Sequence, residues 1–239
     1  PSFVQGLVVT ADYFDIELDE AVTRITPSDI LTKCYSEGIQ EFCNFVDRRT
    51  TSEGGDAYSE GSVRQITSGL INSGGTYTEG FDVTASYSHQ ALGGDLSYAI
   101  SWTHLLDKGT ISQDGATASD ETGEIGNAED RWFATLNYDK DALGISVSGQ
   151  YVGDSYLNDA YWMARFGADA DKESFKVDGV LYIDAQVKYQ FGDSYEFYLG
   201  AKNLFDEESG LYKNNNFSHG VGTYDYIGRR WYTGVRVSF

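Results

Sequence analysis

The chain has 239 residues, enough for one large domain or two small ones. Lys and Arg number 17 against 37 Asp and Glu, a net charge of −20, which excludes the basic surface that a nucleic-acid backbone demands. No run of about 20 apolar residues occurs, which excludes membrane-spanning helices but not membrane-spanning strands.

Residue 1 is Pro, with no initiator Met and no basic or apolar leader, so a processed product or the later part of a longer chain is expected. The first strand is expected over Leu7–Tyr13. A long, polar, acidic link of about 19–63 follows. Within it, Pro27-Ser-Asp29 reads as a helix start, and Cys34 and Cys43 suit a disulfide in an oxidising compartment, a pair of buried thiols being the other reading. Next come a strand over Phe81–Tyr87, a short link near 88–94, and Leu96, Tyr98, Ile100 and Trp102 alternating with Ser97, Ala99, Ser101 and Thr103. A second long link, about 107–130, leads to a strand over Trp132–Tyr138. After a short link near 139–143, Ile145, Val147, Gly149 and Tyr151 alternate with Ser146, Ser148 and Gln150. A third long link, about 153–177, precedes Leu181, Ile183, Ala185, Val187 and Tyr189, interleaved with Tyr182, Asp184, Gln186, Lys188 and Gln190. Past a short link near 191–194, Tyr195, Phe197, Leu199 and Ala201 oppose Glu196, Tyr198, Gly200 and Lys202. The last long link, about 203–226, gives way to Trp231, Thr233, Val235, Val237 and Phe239 against Tyr232, Gly234, Arg236 and Ser238.

The period is two throughout, so the sequence predicts about eight antiparallel strands. Gly at 27, Pro at only 2 and 35 aromatic residues suit long strands and contradict disorder. Two further features separate a membrane barrel from a soluble sandwich. Tyr87, Tyr138, Tyr189, Tyr195 and Phe239 fall beside the short links, and Tyr13, Trp102, Trp132, Tyr151 and Trp231 at the opposite strand ends. Two aromatic belts around an aliphatic band, with short links at one end and long ones at the other, are the pattern of outer-membrane barrels. The interleaved Asp184, Gln186, Lys188, Glu196, Lys202 and Arg236 must then face a wet or filled interior, because lipid offers them no partner.

Chemistry-bearing motifs are sparse. His89, His104 and His219 share no metal spacing and follow no nucleophile motif. The Gly pairs at 54–55, 74–75 and 93–94 open no helix and read as turns or bends. Asp114, Asp120, Glu121, Glu124, Glu129 and Asp130 read as a solvated face or a divalent-cation bridge to anionic lipopolysaccharide or to substrate, without the spacing of a Ca²⁺ loop. Tyr58, Tyr161, Trp162, Phe166, Tyr212, Phe217 and Tyr224 fall in the long links, where aromatics either stack on a ligand or pack on one another.

Several stretches resemble the barrel of TonB-dependent outer-membrane receptors. They are Ala11-Asp-Tyr-Phe-Asp-Ile-Glu-Leu18, Ile30-Leu-Thr-Lys-Cys-Tyr35 and Thr78-Glu-Gly-Phe-Asp82. Clearest are Ala201-Lys-Asn-Leu-Phe-Asp206 and, about twenty residues later, Gly228-Arg-Arg-Trp-Tyr-Thr-Gly-Val-Arg-Val-Ser-Phe239. The resemblance implies the C-terminal segment of a 22-stranded barrel whose plug domain and upstream strands lie outside this chain. It implies location in the outer membrane of a Gram-negative bacterium, among lipid and lipopolysaccharide, with TonB acting through the plug. The expected function is active import of a scarce large solute (siderophore, cobalamin, haem or oligosaccharide), with no bond chemistry and no cofactor. Ligand contacts are expected from Tyr161, Trp162, Tyr212, Phe217, His219 and Tyr224, and Phe239 is the expected assembly signal. The alternative is an autonomous eight-stranded barrel with a structural or adhesive role.

Overall fold

A computed structural model describes residues 4–52, 59–72, 74–111, 118–157, 166–167, 171–208 and 223–239. The described residues form two compact units, Pro1–Ile16 with Tyr77–Gly109 and Asp120–Phe239, and Glu17–Thr76 with Thr110–Ser119.

The first unit is built on eight long strands: β1 (Leu7–Asp19), β2 (Gly75–Ala91), β3 (Gly94–Ile111), β4 (Asp130–Lys140), β5 (Leu143–Val152), β6 (Val180–Phe191), β7 (Tyr195–Lys202) and β8 (Arg230–Val237). They lie in one sheet in chain order, with β1 and β8 at its two ends. Every register between β3 and β8 is antiparallel. Among the described residues the one proline, Pro27, lies outside these strands, so no ladder donor is lost.

The registers carry the sequence alternation across the sheet without a slip. On one face Leu96, Tyr138, Ile145, Val187, Leu199 and Thr233 form a continuous cross-strand row, and Tyr98, Leu136, Val147, Ala185, Ala201 and Trp231 form the next. Large side chains here stay open, with Phe197 49%, Leu199 49% and Val235 53% exposed. A soluble sandwich would cover such a face with a second sheet. Among the described residues no second sheet of comparable size exists to do so.

The strands outrun the alternation. β2 begins at Gly75 and β3 continues to Ile111, well past the aromatic Trp102, where Lys108 breaks the apolar face. Period two marks only the stretch in which one face must be apolar. At the other end the turns are tight. Leu92 and Gly93 link β2 to β3 with φ of 54° and 79°, the left-handed pair of a two-residue hairpin turn that favours Gly.

The second unit holds the helix start foreseen at Pro27. Thr26 caps helix Pro27–Leu31 in a full capping box with Asp29, and Pro27 occupies the first turn, where no amide donor is missed. A π-helical turn Thr32–Ser36 and helix Gln40–Cys43 follow, with Ile25, Ile30 and Cys34 buried between them. A disulfide joins Cys34 to Cys43 across a Cα separation of 4.9 Å. Two small antiparallel ribbons, Val22–Arg24 with Leu70–Asn72 and Val46–Arg48 with Val63–Ile66, complete the unit.

Candidate functional site

The face opposite the apolar one is a wall of mutually satisfied polar groups. Arg236 meets Glu196 at 2.7 Å, Lys202 meets Asp184 at 3.3 Å and Lys188 meets Asp139 at 3.0 Å. The Tyr232 hydroxyl donates to Gln186 Oε1 at 3.0 Å. Two of these contacts skip a strand. Gly144 lies between Asp139 and Lys188 in register, and Gly200 between Gln186 and Tyr232. A Cβ on Gly144 would stand 2.8 Å from Lys188 Cγ, and one on Gly200 would stand 2.9 Å from Tyr232 Cε1. Glycine at those places opens a lane along which the long side chain lies flat and reaches the second strand over. Tyr198 covers Gly234 in the same manner, the aromatic shielding of a strand glycine.

Where β7 leaves the sheet, the Asn-Leu-Phe-Asp and Gly-Arg pieces of the sequence close on each other. Asn203 is 1% exposed at φ 48°. Its amide nitrogen donates to the Glu207 carbonyl at 2.9 Å, and its Oδ1 accepts from the Glu207 amide at 2.8 Å. Asp206 Oδ1 then accepts from the backbone amide of Arg229 at 2.7 Å. Gly228, at φ 76°, lies against that carboxylate, and a Cβ there would be 2.8 Å from Asp206 Oδ1. The motif thus pins the last strand to the end of its neighbour.

The long links meet the strands in a small apolar cluster of Ile125, Ala128, Val152, Leu157, Val177, Val180, Tyr182 and Tyr224, with Phe175 against it. Val152 is fully buried, which stabilises by about 1.5–3 kcal/mol. Above the cluster, Ser155–Tyr156 pairs with Lys176–Val177. The Tyr156 hydroxyl donates to Glu173 at 3.0 Å, and this acceptor raises the pKa of the phenol. The hydrogen bond and charge of Asp154 likewise raise that of Lys176.

Tyr224, expected among the ligand contacts, is 5% exposed within the cluster. Tyr58, Tyr161, Trp162, Tyr212, Phe217 and His219 lie outside the described residues. Phe166 packs on Phe175 in a tilted ring pair at 5.1 Å. His104 shares Asp130 with the Trp102 indole, at 3.0 and 2.9 Å, and His89 stacks on Tyr87 at 4.7 Å. Among the described residues no three His, Cys, Asp or Glu side chains converge as metal ligands. Sequence reasoning missed the polar-face side chains Arg131 and Phe133 toward the loop end of β4, which line a shallow depression with Ser101, Thr103 and Gln150. Their strand alternates less cleanly, which hid them. Phe239 stands two residues beyond β8, fully exposed.

The family described as TonB dependent receptor-like, beta-barrel matches residues 3–204. The chain belongs to that family. It is therefore part of a transmembrane β-barrel of the TonB-dependent receptor type, and members of this family sit in the outer membrane of Gram-negative bacteria. The matched span stops before Gly228–Phe239, but solved receptor structures extend the likeness over β8. A mutant of the ferric enterobactin receptor PfeA from Pseudomonas aeruginosa aligns over 98% of this chain at TM-score 0.58 and 16% identity. The FrpB iron transporter from Neisseria meningitidis, as the F5-1 variant apoprotein, aligns over 97% at TM-score 0.55 and 16% identity. The F3-3 variant gives 97%, 0.53 and 15%. The chain spans 29% of the length of each of these structures. No curated protein sequence matches it.

Proposed function

We propose that the chain is the C-terminal wall of a TonB-dependent outer-membrane receptor that imports a scarce large solute. The short links near 88–94, 139–143 and 191–194 would face the periplasm. The long ones near 19–63, 107–130, 153–177 and 203–226 would face outside. The polar face is then the lumen wall, and the solute passes it chemically unchanged. One observation carries the reading: a single register keeps the apolar face open and the polar face internally paired from β3 to β8. Lipid on one side and a wet interior on the other account for both halves of that arrangement.

The linear strand path favours a larger barrel over an autonomous eight-stranded one. Among the described residues β1 and β8 do not pair with each other, whereas a closed eight-stranded barrel requires that pairing. The missing strands, the plug and TonB would be the partners. A ferric siderophore is the favoured solute, because an iron transporter and a ferric enterobactin receptor are among the structures that share this fold. Tyr161, Trp162, Tyr212, Phe217 and His219 remain the proposed loop contacts.

The test is uptake of ⁵⁵Fe-labelled siderophores by iron-starved cells with and without the gene, before and after an uncoupler. Energy-dependent uptake of one siderophore should vanish with the gene. Undiminished uptake of catecholate, hydroxamate and citrate siderophores would remove the iron reading. If cobalamin, haem and oligosaccharide uptake were also unchanged, the import reading would go with it.

A further inference from the structure

The polar face of the sheet balances its cations from within, with one exception. Strands β3 to β8 turn five of them to that face: Arg131, Lys188, Lys202, Arg230 and Arg236. Four meet a carboxylate at 3.3 Å or less. Arg131, on β4, is exposed, and among the described residues it meets no carboxylate and lies over no ring. The chain carries 37 acidic residues against 17 basic ones, so a cation is not left alone for want of carboxylates. Thr103, which faces Arg131 in register on β3, donates its hydroxyl to Asp82 at 2.5 Å. That contact occupies the one carboxylate bonded beside Arg131.

Register puts a second open group next to the guanidinium. Phe133 stands two residues along β4 and therefore on the same face, between Ser101 on β3 and Gln150 on β5. It is 50% exposed, and among the described residues no other ring packs on it. An open phenyl ring gains from an apolar surface laid over it, and most from another ring. Arg131, Phe133, Gln150, Ser101 and Thr103 line one depression of about 200 Å³. Such room takes one ring with its anionic substituents rather than the whole of a large solute. The guanidinium presents a flat fork of donors that matches a pair of anionic oxygens. Gln150 and Ser101 add donors and acceptors at the edges of a ring seated on Phe133.

We propose that Arg131 and Phe133 form a solute-binding subsite on the lumen wall, selective for anions that carry a flat conjugated ring. This rests on the import reading and narrows its substrate class. The test is ⁵⁵Fe uptake at graded concentrations by iron-starved cells producing the full-length receptor. Four ferric probes separate charge from ring: a tris-catecholate and haem are ringed anions, citrate is an anion without a ring, and a trihydroxamate has neither. A ringed anion should enter with the lowest KM. Arg131→Gln should raise that KM about five- to tenfold, between the scale of an exposed ion pair and that of a hydrogen bond to a charged group. Arg131→Lys keeps the charge without the fork and should recover part of the loss. Phe133→Leu keeps the bulk without the ring and should raise KM about threefold. Variants are compared at equal amounts of heat-modifiable, folded barrel. Uptake confined to citrate, the trihydroxamate or a neutral oligosaccharide would overturn the subsite and leave import standing. So would an Arg131→Gln receptor with unchanged KM, including one whose maximal rate alone falls, the mark of a cation that seats the plug. No energy-dependent uptake of any solute would overturn the import reading and the subsite with it.

Discussion

Replacing Gly228 by Ala tests whether the Asn-Leu-Phe-Asp and Gly-Arg pieces act as one clasp. Gly228 has φ 76°, and a left-handed backbone costs a residue with a Cβ about 1–2 kcal/mol. The new methyl would also stand 2.8 Å from Asp206 Oδ1 and displace the carboxylate from its 2.7 Å bond to the Arg229 amide. A hydrogen bond to a charged acceptor contributes about 1.5–3 kcal/mol. Asp206 is 54% exposed at its side chain, which pulls that term to its lower end. Gly228→Ala alone should therefore cost about 2.5–4 kcal/mol. In an Asp206→Ala background the bond is already gone and the methyl meets nothing else, so only the backbone strain of about 1–2 kcal/mol should remain. The double-mutant cycle should return a coupling of about 1.5–2 kcal/mol. Urea unfolding of the full-length protein in detergent, followed by the heat-modifiable gel shift of the folded barrel, measures all four forms. Equal costs of Gly228→Ala in the two backgrounds would refute the clasp.

The glycine lanes make a similar claim for the polar face. Gly200→Ala should push Tyr232 off Gln186 and cost about 1–2 kcal/mol, whereas Tyr232→Phe should cost only the hydrogen bond, so a Gly200→Ala cost no larger than that of Tyr232→Phe would count against the lane. Opening the Cys34–Cys43 bridge releases a loop of sequence separation 9, worth about 2.5–3 kcal/mol on the chain-entropy estimate. Dithiothreitol with alkylation should then speed proteolysis within residues 17–76 and leave β3–β8 resistant; equal cleavage with and without reduction would contradict it. The Tyr156 phenol, held above its ordinary pKa by Glu173, keeps its proton longer folded than unfolded. Its stabilisation is thus complete below about pH 10 and is lost as pH rises through the folded value. The ultraviolet titration difference between the native protein and Tyr156→Phe should have its midpoint above pH 10, and a midpoint at or below 10 would show that the bond to Glu173 does not hold.

Much of this architecture is legible in sequence because one physical demand repeats at every second residue. Val187 must match Leu199 and Ile145 across two strands, and a one-residue slip would send all three to the polar side. Alternation therefore reports the register as well as the strands. It falls silent where the demand lapses. Beyond Trp102 neither face of β3 is apolar, so the sequence gives no sign that the strand continues to Ile111. Tyr224 shows another silence: an aromatic in a polar link, it joins the buried cluster with Val152, Val177 and Tyr182, which come from separate segments that no local pattern connects.

The same reasoning explains why a polar face can be built with so few free charges. Three of the four cations in β6–β8 find their carboxylate within the sheet, Lys188 with Asp139, Lys202 with Asp184 and Arg236 with Glu196, while Arg230 at the start of β8 pairs with Asp225 just before the strand. Pairs that are exposed and screened contribute little to stability individually. Their effect is on what the wall presents. With its charges paired side to side, this stretch presents hydroxyls, amides and neutralised ion pairs rather than a strong field. Binding strength would then have to come from elsewhere. The excess negative charge of the chain lies largely in its connecting segments, where 112–129 alone carries Asp114, Asp120, Glu121, Glu124 and Glu129. On the proposed import reading, a wall of paired charges suits a route through which a captured solute must pass and not stay.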